Sequence, residues 1–267
     1  MKTILLSMLV LGALGGIFGA LLAFASKIFY VEVDPKQAAV REVLAGANCG
    51  GCGYPGCDGY AAAVARGEAP CNKCVAGGAA VAEKVSEIMG VSADAADKMV
   101  AFVPCSGCEG VAEKRFNYTG PIDCQAAMLF GGKSNKTCTF ACIGLGNCTR
   151  ACKFDAIHIV DGIAQVDRSK CVGCGACADT CPKSIIKLLP ASQRVEPGCS
   201  NKDKGAKVMK MCDFGCIGCM KCQRECPADA IVVVDNLAVV NNDKCVKCGH
   251  CVDVCPRHII RWFEKAE

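Results

Sequence analysis

Near the carboxy-terminus, two cysteine runs carry a spacing suited to one chemistry: Cys216-x2-Cys219-x2-Cys222-x3-Cys226-Pro227 and Cys245-x2-Cys248-x2-Cys251-x3-Cys255-Pro256. Three thiolates separated by two residues can wrap three irons of a 4Fe-4S cubane. The fourth, on a short helix beginning near the proline, reaches a second cubane. Crossed ligation follows, with Cys216, Cys219, Cys222 and Cys255 on one cluster and Cys245, Cys248, Cys251 and Cys226 on the other. A structural zinc site uses two C-x2-C pairs and has no use for a third and fourth cysteine in each run.

This is the run of bacterial two-cluster ferredoxins, and most of it recurs. At an offset of 74 residues, Cys138, Cys142, Cys148, Cys152, Cys171, Cys174, Cys177 and Cys181 superimpose on Cys212, Cys216, Cys222, Cys226, Cys245, Cys248, Cys251 and Cys255, which indicates a duplication. The first copy departs at one place, where Leu145 stands in the position of Cys219. Cys138, four residues before Cys142, is the nearest replacement. Cys138, Cys142, Cys148 and Cys181 are therefore expected to hold one cluster, and Cys171, Cys174, Cys177 and Cys152 the other; the alternative is a three-cysteine site with Cys138 serving elsewhere. Between the cysteine runs of the second copy, AIVVVDNLAVVNN predicts two short strands joined by a turn at Asp235-Asn236.

A third group lies nearer the amino-terminus, where Cys49-x2-Cys52-x4-Cys57 is closed by Cys71 or Cys74. The glycines of NCGGCGYPGC let backbone amides approach cluster sulfurs, where hydrogen bonds raise the potential.

The elements that must position these thiols are small. Cysteine accounts for 26 of 267 residues, aromatic residues for 6%, and only three histidines occur. Several metal-stapled modules are expected in place of one large core, and mixed Cys/His zinc fingers, Rieske centres and haem arrays are excluded. His250 and His258, beside cluster cysteines, read as local packing. The formal charge of +4 counts every thiol as neutral; six cubanes at about −2 each bring the loaded chain to about −8. With no basic run interleaved with aromatics, no nucleic-acid partner is expected. No G-x-G-x-x-G or G-x4-G-K-[ST] run occurs, and Gly131-Gly132-Lys133-Ser134 lacks the first half of a phosphate loop. Neither NAD, flavin nor nucleoside triphosphate is expected on this chain. The segment VAEKVSEIMGVSADAADKMVAF predicts a helical connector with Ser92 as a cap. Lys202, Lys204, Lys207 and Lys210 against Asp203 form a local basic patch suited to steering an acidic donor.

From Thr3 to Tyr30 the chain is apolar, with no charge between Lys2 and Lys27, and as a helix it spans a hydrocarbon core of about 30 Å. Ala23-Phe24-Ala25 has the form of a signal cleavage site. The apolar stretch nevertheless exceeds a usual signal core, and export would oxidise the thiols, so a retained membrane helix is expected. Gly12, Gly15, Gly16 and Gly19 form two overlapping G-x-x-x-G pairs that admit another helix. Lys27, Lys36 and Arg41 after the helix, against Lys2 before it, put the iron-sulfur body on the cytoplasmic side of the cell membrane.

The membrane segment, CGGCGYPGC, the Asn72-Lys73-Cys74 closing segment followed by Gly77-Gly78, and the ferredoxin modules together resemble the B subunit of the Rnf complex, the membrane-bound oxidoreductase linking ferredoxin, NAD and ion transport. The resemblance covers nearly the whole chain and is to the long polyferredoxin form. It implies Cys74 as the closing ligand beside Cys49, Cys52 and Cys57, with Cys71 a free thiol. Outside the assigned sets there then remain Cys71, Cys105, Cys108, Cys124, Cys199 and Cys212, enough for one further cluster on Cys105, Cys108, Cys124 and either Cys199 or Cys212. About six 4Fe-4S clusters are expected, with five as the fallback. The resemblance further implies reduced soluble ferredoxin as donor, other membrane and peripheral subunits as partners, and an electron-transferring role in an ion-translocating ferredoxin:NAD oxidoreductase moving Na+ or H+, with no catalytic residue on this chain. A membrane-anchored polyferredoxin serving a hydrogenase or other reductase is the competing reading. The expected fold is α+β: a transmembrane helix (1–30), a small N-terminal 4Fe-4S domain (31–90), a connector with an additional Cys-rich segment (91–137), and two tandem two-cluster ferredoxin modules (138–190 and 212–267) joined by a linker (191–211).

Overall fold

The computed structural model describes residues 2–28, 34–91, 98–131 and 134–264. Helix α1 (Lys2–Ile28) is continuous, with a mean hydropathy of 2.3 over Met8–Lys27, and by length and composition it can cross a membrane. Its large apolar side chains, such as Leu11, Phe18 and Leu22, are exposed, and open space surrounds Gly12, Gly15, Gly16 and Gly19.

Three helices form the next unit. Asp34 caps α2 (Pro35–Val43) by accepting the Lys36 amide at 2.8 Å, and Pro35 presets the first turn. Helices α3 (Cys57–Ala65) and α4 (Gly78–Met89) pack against α2 around Val40, Leu44, Tyr60, Val64 and Val85. Gly90, at φ 70°, ends α4 in the left-handed region. The helical connector expected to run through Phe102 stops there: Met99–Phe102 is a strand, β1, and Ser92 lies outside the described residues.

Each ferredoxin repeat is built from a hairpin and a pair of end strands. In the first, β2 (Ile157–Val160) pairs antiparallel with β3 (Ile163–Val166), and β1 pairs with β4 (Lys187–Pro190). In the second, β6 (Ile231–Val234) pairs with β7 (Leu237–Val240), and β5 (Val195–Pro197) with β8 (Ile260–Trp262). Both hairpins turn through two positive-φ residues, Asp161-Gly162 and Asp235-Asn236, a backbone that matches the strand twist. Ile157 and Ile163, like Ile231 and Leu237, point inward against the cysteines. Short helices carry the middle thiols: α6 (Asn147–Ala151) and α7 (Ala176–Thr180) in the first repeat, α9 (Lys221–Arg224) and α10 (His250–Asp253) in the second. Two further helices, α5 (Cys124–Gly131) and α8 (Gly205–Met209), lie in the segments before each repeat's first hairpin.

Strand pairing extends both modules. β1 and β5 lie outside the expected ranges 138–190 and 212–267, yet each supplies the partner for its module's last strand, whose backbone groups need one. The modules thus begin earlier than expected, and 191–211 is no free linker.

Candidate metal centres

The cysteines gather around apolar cavities. Cys216, Cys219, Cys222 and Cys255 line one with Ile217, Val233 and Ile260, and Cys251 lies within electrostatic reach of Cys226, Cys245 and Cys248. The structure thus brings together the thiols that the spacing pairs crosswise. In the first repeat, Cys152, Cys171, Cys174 and Cys177, the counterparts of Cys226, Cys245, Cys248 and Cys251, line a cavity of their own.

Two groups differ from those expected. Cys142, Cys148 and Cys181 share their cavity with Cys124, not Cys138. Helix α5 fills the place left by Leu145 because its start is anchored there. Asn147 Oδ1 accepts the Cys124 amide at 2.8 Å, Asn147 Nδ2 donates to Asp123 Oδ2 at 2.8 Å, and Asp123 Oδ1 accepts the Ala126 amide at 2.9 Å. Cys138 instead lines a cavity with Cys105, Cys199 and Cys212. Two of these thiols come from each repeat, at equivalent places. Cys138 and Cys212 match at the offset of 74, whereas Cys105 and Cys199 each lie three residues beyond the matched strand positions Phe102 and Glu196. This group therefore sits on the seam between the repeats. Cys108, expected beside Cys105 and Cys124, packs partly buried against the first-repeat core and lines neither cavity.

In the N-terminal unit, Cys52, Cys57, Cys71 and Cys74 pack against the core around Tyr60. The Tyr60 hydroxyl donates to Pro70 O at 2.7 Å and accepts the Lys73 amide at 3.2 Å, which pins the turn bearing Cys71 and Cys74. Cys49 faces the first repeat and comes within electrostatic reach of Cys174.

These groups fit a cage and not a lone ion. Among the described residues, no cluster of three or more His, Cys, Asp or Glu is arranged to hold one metal ion. Zinc at about 2.3 Å per sulfur would draw four thiolates to within about 4 Å of one another. Thiols ringed around a cavity suit a cubane with iron at its corners, and all 26 cysteines are free of disulfides. Burial pushes Cys142, Cys177 and Cys199 up to about 12 and Cys222 and Cys251 up to about 11. Thiolates in such cavities need the positive charge of iron. Donors already point at the sulfurs: the amides of Ala101, Ala156 and Ala230 at Cys171, Cys152 and Cys226, at 3.3, 3.4 and 3.3 Å, and Asn201 Nδ2 at Cys138 Sγ, at 3.2 Å. Spacing carries no signal for Asn147 or Asn201, whose roles show only in burial and partners. His158 and His250 stand beside Asp155 and Glu225.

Neighbouring groups adjoin in a single order. Cys49 lies within electrostatic reach of Cys174, Cys177 of Cys148, Cys142 of Cys105, Cys199 of Cys216, and Cys222 of Cys251. Two steps are direct contacts, the Cys142 amide donating to Cys105 Sγ at 3.5 Å and the Cys216 amide to Cys199 Sγ at 3.4 Å. At the first step, a Cβ on Gly51 would stand 2.8 Å from Cys174 Cα, and Lys153 Nζ donates to Asn48 O at 2.9 Å. The basic patch is weaker than its lysine count, because Lys202 pairs with Asp235 and Lys207 with Asp203.

Cysteine groups of this kind on a duplicated hairpin fold define an iron-sulfur electron-transfer protein. A family model described as "Putative Fe-S cluster" matches residues 44–76, and two described as "4Fe-4S dicluster domain" match 215–260 and, for the other, 141–185 and 170–230. The chain is 46% identical, over 97% of its length and 78% of the relative's, to the B subunit of the Na(+)-translocating ferredoxin:NAD(+) oxidoreductase complex of Acetobacterium woodii. It is 41% identical to the B subunit of the proton-translocating ferredoxin:NAD(+) oxidoreductase complex of Clostridium ljungdahlii, over 98% of the chain and 93% of the relative. To the B subunit of the ion-translocating oxidoreductase complex of Methanosarcina acetivorans it is 38% identical, over 95% and 96%. The chain belongs to this family, the B subunits of Rnf-type ion-translocating oxidoreductase complexes.

Proposed function

We propose that this chain is a membrane-anchored electron relay that accepts electrons from reduced soluble ferredoxin and hands them to other subunits of an Rnf-type complex coupled to Na+ or H+ movement. The observation that carries this reading is the single row of six cysteine groups, each adjoining the next. In order they are Cys49, Cys52, Cys57 and, chosen over Cys71 on the family resemblance alone, Cys74; Cys152, Cys171, Cys174 and Cys177; Cys124, Cys142, Cys148 and Cys181; Cys105, Cys138, Cys199 and Cys212; Cys216, Cys219, Cys222 and Cys255; and Cys226, Cys245, Cys248 and Cys251. When bound, 4Fe-4S clusters supply one-electron redox changes without bonding a substrate. The protein's own part is placement: apolar linings keep water out, donors to sulfur set potentials, and the shared contacts keep each step short. Exposed Cys219 and Cys248 open the carboxy-terminal end of the row to a docking partner. Helix α1 holds the row at the membrane, with its body on the cytoplasmic side.

Two measurements test the reading. Anaerobically purified protein should carry about 24 iron and 24 sulfide per chain and bleach with dithionite; values near 16 would remove two of the six groups. Isolation from native membranes should recover flavin-bearing, NAD-reactive subunits. Recovery of a hydrogenase in their place would favour the polyferredoxin reading.

A further inference from the structure

Lys136 is only 2% exposed. Its ammonium donates to two backbone oxygens, Gly107 O and Gly162 O, both at 2.8 Å. Among the described residues, no carboxylate lies within ion-pair distance of it; Glu109, the acid whose charge it reaches, is exposed and paired with Lys114 at 2.9 Å. Carbonyl dipoles alone leave a buried cation costly, so a counter-charge is needed nearby.

Its surroundings supply one on either side. Gly107 lines the seam cavity of Cys105, Cys138, Cys199 and Cys212. Gly162 closes the first hairpin against Gly144, where an added Cβ would collide with Gly162 O, and Gly144 lines the cavity of Cys124, Cys142, Cys148 and Cys181. The ammonium thus stands between two neighbouring cysteine groups, each of which becomes anionic when its cluster is bound.

We infer that Lys136 is an internal counter-cation shared by these two 4Fe-4S centres, and that its fixed charge raises the reduction potential of both. The inference rests on the ligand groups proposed above. Reduction adds negative charge inside a poorly screened interior, so a fixed positive charge favours the reduced form over the oxidised one. Its position is the step at which the row leaves the first repeat for the seam.

The test uses the full-length protein with Lys136→Met, Lys136→Gln and Lys136→Arg, purified anaerobically and followed by iron content and by redox titration monitored with electron paramagnetic resonance. Gln keeps a donor for a carbonyl and separates charge from hydrogen bonding. With iron at the wild-type level, two midpoint potentials should fall in the Met and Gln variants, the others should stay, and Arg should restore both. Unmoved potentials at full iron content overturn the inference. Loss of about eight iron from both neutral variants, with Arg fully loaded, supports it, since charge is then what holds the two centres; the same loss from all three variants overturns it. Wild-type protein lacking these two centres would refute the ligand groups themselves, and the inference with them.

Discussion

Paired alanine substitutions decide which thiols share a cluster. Cys181 lines a cavity with Cys124, Cys142 and Cys148, whereas Cys138 lines the one at the seam. Replacing Cys181 leaves three ligands, among them Cys142, which is 8% exposed and whose thiol burial pushes from 9.0 up to about 12. That rise weighs about 4 kcal/mol against the thiolate. A weakened cubane therefore loses its ligands to protons, and about four iron leave together. Cys138→Ala should empty the seam in the same way. Because the groups are separate, Cys138→Ala with Cys181→Ala should lower iron from about 24 to about 16, while Cys124→Ala with Cys181→Ala should stop at about 20, the value for Cys181→Ala alone. Iron and sulfide analysis of anaerobically purified variants reads the difference. If Cys138 closes the first-repeat cluster, the two doubles exchange values, and that exchange would refute the grouping.

Cys226→Ala should remove the centre on Cys245, Cys248 and Cys251 and spare the one on Cys216, Cys219 and Cys222; the reverse pattern in the resonance spectra would contradict crossed ligation. Gly51→Ala places a methyl 2.8 Å from Cys174 Cα and 2.7 Å from Val75 Cγ2, an overpacking of about 1–3 kcal/mol at the contact between the N-terminal unit and the first repeat. Iron should hold while stopped-flow transfer past that contact slows; an unchanged rate means the electrons do not cross there. Asn201→Ala deletes the donor 3.2 Å from Cys138 Sγ, so the seam potential should fall at constant iron content. A potential equal to wild type would assign Asn201 to the turn it also caps through the Asp203 amide.

What could be read from the sequence is what the chain encodes locally. The crossed groups of the second repeat follow from spacings of two and three residues, and the Asp235-Asn236 turn from two adjacent residues that tolerate positive φ. Cys124 escapes that reasoning because it arrives on an inserted helix and is held by Asn147, a contact 23 residues apart in sequence. Strand β1 escapes it too: four apolar residues have no clear period, and their partner, β4, begins at Lys187. The equivalence of Cys105 and Cys199 is hidden for a related reason. An insertion in the first repeat shifts their offset to 94, so comparison at 74 misses the pair. One signal was nevertheless present, since Cys138 and Cys212 match each other while Cys212 has no place in its own module. Two equivalent residues, each surplus to its own unit, point to a site that the units share.

That shared site joins electron transfer to assembly. Around it the repeats are already tied together: Ser106 Oγ donates to Gly198 O at 2.9 Å, Arg261 Nη2 donates to Ser106 Oγ at 3.2 Å, and the rings of Phe102 and Phe263 meet edge to face at 5.4 Å. Arg168 stacks on Phe263 at 4.2 Å. A cluster held there, as proposed, by Cys105 and Cys138 from one repeat and Cys199 and Cys212 from the other would add its binding free energy to this interface, because metal binding stabilises whatever arrangement brings its ligands together. The step between repeats is the one that domain motion would lengthen, and the residues that complete the row there also hold the repeats at a fixed separation.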